Sequence, residues 1–219
     1  MTLTGIPTNL ITGQRGSGKS TLIRHLLSQR PARERWAVLV NDVDAVLPSA
    51  EDGVYVSVVA DGCICCSGQL GLRVALTRLL RKAQPQRLLI EPSSLARTRE
   101  VLQLLQDRWL LPVLQIRATI TLLAASQHAG GVITDTLDRE RIRHADVVAI
   151  NADAADADPV VEALARSITG MSSQAQIVTL CRGRLDNELL DRPAGAAGRD
   201  IRPRFYGDGD CGVSDLGSK

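Results

Sequence analysis

The sequence predicts an α/β fold: a mostly parallel sheet flanked by helices. Three observations predict it. Apolar runs of strand length alternate with longer helical stretches, an order that implies parallel pairing through right-handed crossovers. The 219 residues are 44% hydrophobic but only 2% aromatic, so the core must be built from Leu, Val, Ile and Ala, the composition of buried parallel strands. A glycine-rich turn beginning at Gly13 joins the first apolar run to the first helical one.

In chain order, the strand candidates are Leu10–Thr12 with its lead-in, Trp36–Asn41, Tyr55–Val59, Arg87–Glu91, Ala118–Leu123, Asp146–Asn151 and Gln176–Cys181. The helix candidates are Lys19–Gln29, Gln69–Ala83, Thr98–Arg108, Arg139–His144 and Pro159–Ser167. Leu70, Val74, Leu76 and Leu80 recur at helical spacing, Pro85 closes that helix, and Pro159 sits where a first turn tolerates proline. One nucleotide-binding domain is expected over residues 1–190. From Asp191 the chain becomes rich in Gly and Pro, and 191–219 is expected to be a loosely ordered tail.

The formal net charge of +2 argues for neither a nucleic-acid nor a membrane surface. No run of 18 apolar residues suggests a membrane span, and residues 1–9 do not read as a secretory signal. The five cysteines are an odd number, and three of them crowd into four positions. That is a poor disulfide framework and places the chain in a reducing compartment, the cytoplasm.

Two motifs carry chemistry. Gly13-Gln14-Arg15-Gly16-Ser17-Gly18-Lys19-Ser20 fills every position of G-x-x-x-x-G-K-S/T, between an apolar strand and the helix pattern of Leu22, Ile23, Leu26 and Leu27. This is a P-loop. Backbone amides and the helix N-terminus cradle phosphates, Lys19 reaches the β- and γ-phosphates, and the Ser20 hydroxyl ligates Mg²⁺, with Thr21 next in line. The acid that organises magnesium and the attacking water has two candidates, Glu91 after Leu88-Leu89-Ile90 and Asp42 after Val38-Leu39-Val40-Asn41. Each would lie at the carboxyl edge of the sheet, where ligands of open α/β sheets bind.

The second motif is Asp61-Gly62-Cys63-Ile64-Cys65-Cys66-Ser67-Gly68. The Cys63, Cys65 and Cys66 thiolates can converge on one metal ion. Zn²⁺ accepts three thiolates and keeps a fourth position open for water, carboxylate or imidazole, as metal hand-over requires; Cu(I) would accept the same ligands. The competing readings are small buried residues or a redox pair. Cys181 reads as core, Cys211 lies in the tail, and His25, His128 and His144 read as structural.

In their order along the chain, the P-loop, Asn41-Asp42, the Gly62-Cys63-Ile64-Cys65-Cys66 loop and Glu91-Pro92-Ser93-Ser94-Leu95-Ala96 resemble CobW-like P-loop GTPases, relatives of the UreG and HypB metallochaperone GTPases. The resemblance covers about Leu10 to Leu190. It implies a P-loop NTPase domain of the SIMIBI type, slow hydrolysis of GTP with Mg²⁺, zinc at Cys63, Cys65 and Cys66, and delivery of that metal to a client metalloprotein. A second copy of the chain is a further candidate partner.

Several positions depart from the family. Asp42 stands where the family has Glu, Ser94 where it has Gly, and the run Thr119–Ala124 lacks a terminal Asp. The family reads guanine with Asn-Lys-x-Asp; here the aligned segment is Asn151-Ala152-Asp153-Ala154. Asn151 is kept and Asp153 or Asp156 is a candidate substitute, but the lysine and the final aspartate are alanines. The family's C-terminal domain is expected to be missing. Two readings follow. One is a zinc-carrying triphosphatase with GTP, or another NTP, as substrate. The other is a binding module of relaxed base specificity with weak or no hydrolysis. A kinase-like phosphotransferase ranks last, because no arginine-rich lid segment is visible.

Overall fold

The computed structural model describes residues 3–41, 52–59, 69–152, 158–172, 174–181, 184–195 and 204–206. Its frame is one eight-stranded sheet in the order β3-β2-β4-β1-β5-β6-β7-β8. The strands are β1 (Ile6–Gly13), β2 (Trp36–Val40), β3 (Val54–Val58), β4 (Arg87–Glu91), β5 (Leu114–Ala124), β6 (Val147–Ala152), β7 (Gln176–Cys181) and β8 (Arg204–Tyr206). Every neighbouring pair is parallel. The helices are α1 (Lys19–Ser28), α2 (Gln69–Ala83), α3 (Thr98–Leu105), α4 (Thr136–Arg143) and α5 (Asp158–Met171).

Strand residues alternate between two buried faces, so β2 is buried along its whole length. Val38 and Val40 pack with Ile11, Ile120 and the α1 residues Leu22, Ile23 and Leu26. Ala37 and Leu39 pack on the other face with Leu72 and Leu76 of α2 and Val101 and Leu105 of α3. That second face continues under α4 and α5, where Val148 and Ile150 meet Ile142, Leu164 and Ile168. Burial on both faces explains why the strands read as near-continuous apolar runs.

The chain leaves β1 toward β2 and β3, returns to β4 beside β1, and crosses to β5 on the other side of β1. The carboxyl end of β1 is therefore flanked by the ends of β4 and β5, the topological switch point of the sheet.

Several bounds differ from the sequence reading. The strand expected over Ala118–Leu123 is longer, because Leu114 and Gln115 still pair with Ile6 and Pro7. The helix expected to reach Arg108 stops at Leu105, because the Asp107 carbonyl and carboxylate take the amides of Leu110 and Trp109 into a new turn. The helix expected from Arg139 begins at Thr136, because the Asp135 side chain accepts from the amides of Leu137 and Asp138. Its α4 neighbour Glu140 in turn accepts from Thr98 and Arg99 at the start of α3.

Part of the segment after 190 is in the sheet or pinned to it. Residues 204–206 pair with β7, Ala118 donates to the Arg192 carbonyl, and Gly195 donates to Asp146. Buried Arg87 donates to Asn9 and to Asp191, and the Asn9 amide reaches the carbonyls of Ala118 and Leu190. These bonds tie the stretch around Leu190 to the floor of β1, β4 and β5.

Candidate functional site

The turn after β1 has a geometry only glycine allows. Gly13, Gly16 and Gly18 have φ of 149°, 79° and 101°. A Cβ on Gly13 would stand 2.6 Å from the Leu122 carbonyl oxygen and 2.6 Å from Ser17 Oγ. A Cβ on Gly18 would stand 2.6 Å from Asn151 Nδ2. Neighbouring elements therefore press on the loop wherever a side chain is missing.

Side chains from other elements hold two of the loop's carbonyls. Gln127 donates to the Arg15 carbonyl at 2.9 Å, and Asn151, near the end of β6, donates to the Ser17 carbonyl at 3.2 Å. In trans peptides, carbonyls held this way direct the Gly16 and Gly18 amides to the opposite side. α1 starts directly behind, with Gly18 as its N-cap, no side-chain cap and no acidic residue in its first turn. Its amides and dipole thus face an anion site that no residue of the first turn neutralises. Ser17 Oγ is buried without a partner among the described residues. A polar cradle of this shape fits a chain of phosphates.

Lys19 supplies the cation. Only 5% exposed, it donates to the carbonyls of Gln14 at 2.9 Å and Gly13 at 3.3 Å, and its ammonium lies 3.9 Å from the Glu91 carboxylate. Glu91 ends β4 at 2% exposure. Asn41 follows β2; its amide donates to the Glu91 carbonyl at 2.8 Å and its side chain to Val59 at 2.9 Å. Ser20 is half-buried in the first turn of α1, and exposed Thr21 accepts from Arg24. The structure thus brings Gly13 to Thr21, Glu91 and Asn151 to one edge of the sheet. Ser20 and Glu91 provide hard oxygen donors there, the kind Mg²⁺ takes.

Asp42, Cys63, Cys65, Cys66, Asp153 and Asp156 lie outside the described residues. Among the described residues no group of three or more His, Cys, Asp and Glu side chains could hold a metal ion, and no helix is long and apolar enough to cross a membrane. Ala152 closes β6 at 1% exposure, buried and without a polar group to offer a base.

Sequence reasoning missed a buried polar network beneath the loop. The Asp138 carboxylate on α4 is fully buried. It accepts from Gln14 at 2.5 Å, from Arg141 at 2.6 Å and from His128 at 3.3 Å. Arg141, 1% exposed, also donates to the Ser94 carbonyl in the loop after Glu91. His128 faces two acceptors, the Ala124 carbonyl at 2.8 Å through Nδ1 and Asp138 through Nε2. A ring with acceptors at both nitrogens is best satisfied as imidazolium. The Asp138 hydrogen bond raises the His128 pKa against the opposing effect of burial. Burial works against the Asp138 carboxylate, but the bonds from His128 and Arg141 prevail and lower its pKa. The available signal was Asp135 as an N-cap, which would have placed Asp138 and Arg141 one turn apart on a helix.

A cleft of about 360 Å³ lies at the opposite edge of the sheet, lined by Arg143, His144, Asp146 and Gln174 among others. Burial raises the Asp146 pKa there, partly offset by the Thr119 and Gly195 amides. It opens at the amino ends of the strands, away from the phosphate cradle.

Comparison with known proteins agrees with this geometry. Residues 7–179 match the CobW/HypB/UreG nucleotide-binding domain. The chain is 34% identical over 192 residues to the zinc chaperone YeiR of Escherichia coli K12, covering 85% of this chain and 58% of that protein. It is 28% identical over 226 residues to the zinc chaperone CobW of Pseudomonas aeruginosa, covering 86% and 60%. It thus spans about three-fifths of the length of these relatives. The crystal structure of zinc-bound YjiA GTPase from E. coli superposes with a TM-score of 0.67 at 20% identity, over 94% of this chain and 68% of that one, a likeness of fold. The chain belongs to the CobW/HypB/UreG family of P-loop nucleotide-binding domains.

Proposed function

We propose that this chain is the nucleotide-binding part of a zinc-carrying triphosphatase, in which the state of the bound nucleotide governs how tightly zinc is held. The observation that carries the reading is the phosphate cradle, with three positive-φ glycines, an uncapped α1 and buried Lys19 beside buried Glu91. Membership of the family and relatives named zinc chaperones support the metal half of the reading.

In this reading the amides of Gly16 and Gly18 and the N-terminus of α1 bind the β- and γ-phosphates of GTP or another NTP. Lys19 turns from the Gly13 and Gln14 carbonyls onto them. Ser20 would hold Mg²⁺, with Glu91 and Asp42 as acids for the ion or the attacking water; Mg²⁺ supplies neutralisation of the phosphate charge. What supports that role for Glu91 is its burial, which keeps its carboxylate off bulk water, and the neighbouring Lys19 ammonium. Cys63, Cys65 and Cys66 would carry zinc as cargo for a client metalloprotein. Residues 1–190 would form the nucleotide-binding unit, with Arg204–Tyr206 of the tail after them adding the edge strand β8 to its sheet.

The test is zinc titration of the protein loaded with GDP or with a non-hydrolysable GTP analogue. The reading expects different midpoints, because only differential affinity lets nucleotide state move metal. Equal midpoints would refute the coupling.

One observation favours a second reading, of relaxed base specificity: β6 closes on buried Ala152, which offers a base no polar group. A site gains base discrimination from groups that pair with the base. A strong preference for GTP over ATP in a calorimetric titration would refute it.

A further inference from the structure

The buried network under the loop joins two parts of the site that the backbone leaves separate. Its first end is Gln14, whose side chain donates to Asp138 and whose carbonyl accepts from Lys19. Its second end is the turn after Glu91, where the Ala96 amide donates to the Ser93 carbonyl at 2.9 Å. Ser94 and Leu95 are the central residues of this turn. Arg141 bridges the two ends, with Nη1 on Asp138 and Nη2 on the Ser94 carbonyl. Asp138 and Arg141 are both nearly or wholly inaccessible to solvent, so the bridge is not loosened by exchange with water.

We propose that Arg141 is a positioning residue that ties the turn after Glu91 to the phosphate loop, so that the site distinguishes a nucleoside triphosphate from a diphosphate. This rests on the triphosphatase reading. Two further observations and two general arguments support it. Glu91 lies two residues before the tethered turn and 3.9 Å from Lys19, so a shift of the turn would be felt where the terminal phosphate is held. The Ser94 carbonyl is held by Arg141, which fixes the peptide that follows, and the Leu95 amide of that peptide donates to Ser93 Oγ at 3.3 Å. A guanidinium can serve two acceptors at once in fixed geometry, whereas an ammonium at the end of a lysine cannot span the same pair. Finally, the α- and β-phosphate contacts of a diphosphate need only the loop and α1, so losing the tether should spare them.

The decisive variant is Arg141→Lys, which keeps a positive charge beside Asp138 and removes the bridge. Affinities for GDP and for a non-hydrolysable GTP analogue are measured with Mg²⁺, together with amide hydrogen exchange of residues 93–97 in nucleotide-free protein. The proposal expects the analogue to bind about tenfold more weakly, the size of one lost charge-assisted hydrogen bond. GDP should stay within about twofold, and exchange at 93–97 should quicken. Equal losses for both nucleotides would mean a general structural role and overturn the proposal, as would no change in either. Should Arg141→Lys fail to fold, Gln14→Ala opens the other end without breaking the buried ion pair. It should narrow the gap between analogue and GDP in the same direction, and an unchanged gap overturns the proposal. A wild-type protein that binds neither nucleotide overturns the triphosphatase reading and this discrimination together. Normal wild-type binding with unaltered variants overturns the inference alone.

Discussion

The two ends of the candidate nucleotide site are built to different standards. At the phosphate end, the described residues form a cradle suited to an anion. Glycines stand where a Cβ would collide, two carbonyls are held by Gln127 and Asn151, and Lys19 is buried beside Glu91. At the base end, among the described residues, β6 closes on Ala152, and Asn151 donates to the loop. The difference separates two energies: affinity for a nucleotide comes chiefly from its phosphates, whereas selectivity among nucleotides comes from the base. A site can keep the first and lose the second.

The largest expected effect breaks the phosphate end by sterics. Gly13→Ala puts a methyl group 2.6 Å from the backbone oxygen of Leu122, at a φ that L-residues rarely adopt. Thermal or chemical unfolding should show a loss of about 2–3 kcal/mol, together with lost nucleotide binding. Gly18→Ala should cost less, because its added Cβ meets the end of the Asn151 side chain, which can rotate away. Equal stability of Gly13→Ala and wild type would mean that the loop is not held as described. At the base end, competition binding should rank GTP and ATP within about tenfold of each other, less than one good base-pairing contact provides. A larger gap would show that residues outside the described segments read the base.

The smallest effect concerns the network below the loop. His128 has a raised pKa in the folded protein, so its contribution is fully present below its unfolded pKa of about 6.5. It is lost as the pH climbs through the raised folded value. Melting temperatures of wild type should therefore fall as the pH rises above about 6.5 more than those of His128→Gln. Parallel profiles for the two proteins would remove the imidazolium from this network.

Much of the fold and the phosphate cradle was legible because local patterns encode both. Two-sided burial leaves near-continuous apolar strands such as Trp36–Val40 and Arg87–Glu91, and the loop's strained angles leave Gly13, Gly16 and Gly18 in sequence. The network was not legible, because it is a meeting of elements far apart in the chain. Only Asp138 and Arg141 share a helical spacing; Gln14, Ser94 and His128 lie on other elements, and the packing of α4 against β1 and β5 brings them together. His128 read as a structural histidine, which agrees with its bonds, but nothing in the sequence named Asp138 as its partner. Likewise the pairing of 204–206 with β7 had no signal in a Gly- and Pro-rich stretch. The role of Asn151 shows a subtler limit. The sequence placed it as a base reader, and the structure has it supporting the phosphate loop, a function that survives the loss of the lysine and aspartate beside it.

The claim that the loop at Gly13–Ser20 holds the phosphates of a nucleotide, with Lys19 as its cation, is tested most directly by calorimetric titration. Wild type and Lys19→Ala would each be titrated with a non-hydrolysable GTP analogue and Mg²⁺. The account predicts one site in the wild type and a dissociation constant roughly 10- to 150-fold higher in the variant, the equivalent of about 1.5–3 kcal/mol for a hydrogen bond to a charged group. No binding by the wild type, or equal affinity in the two proteins, would contradict it.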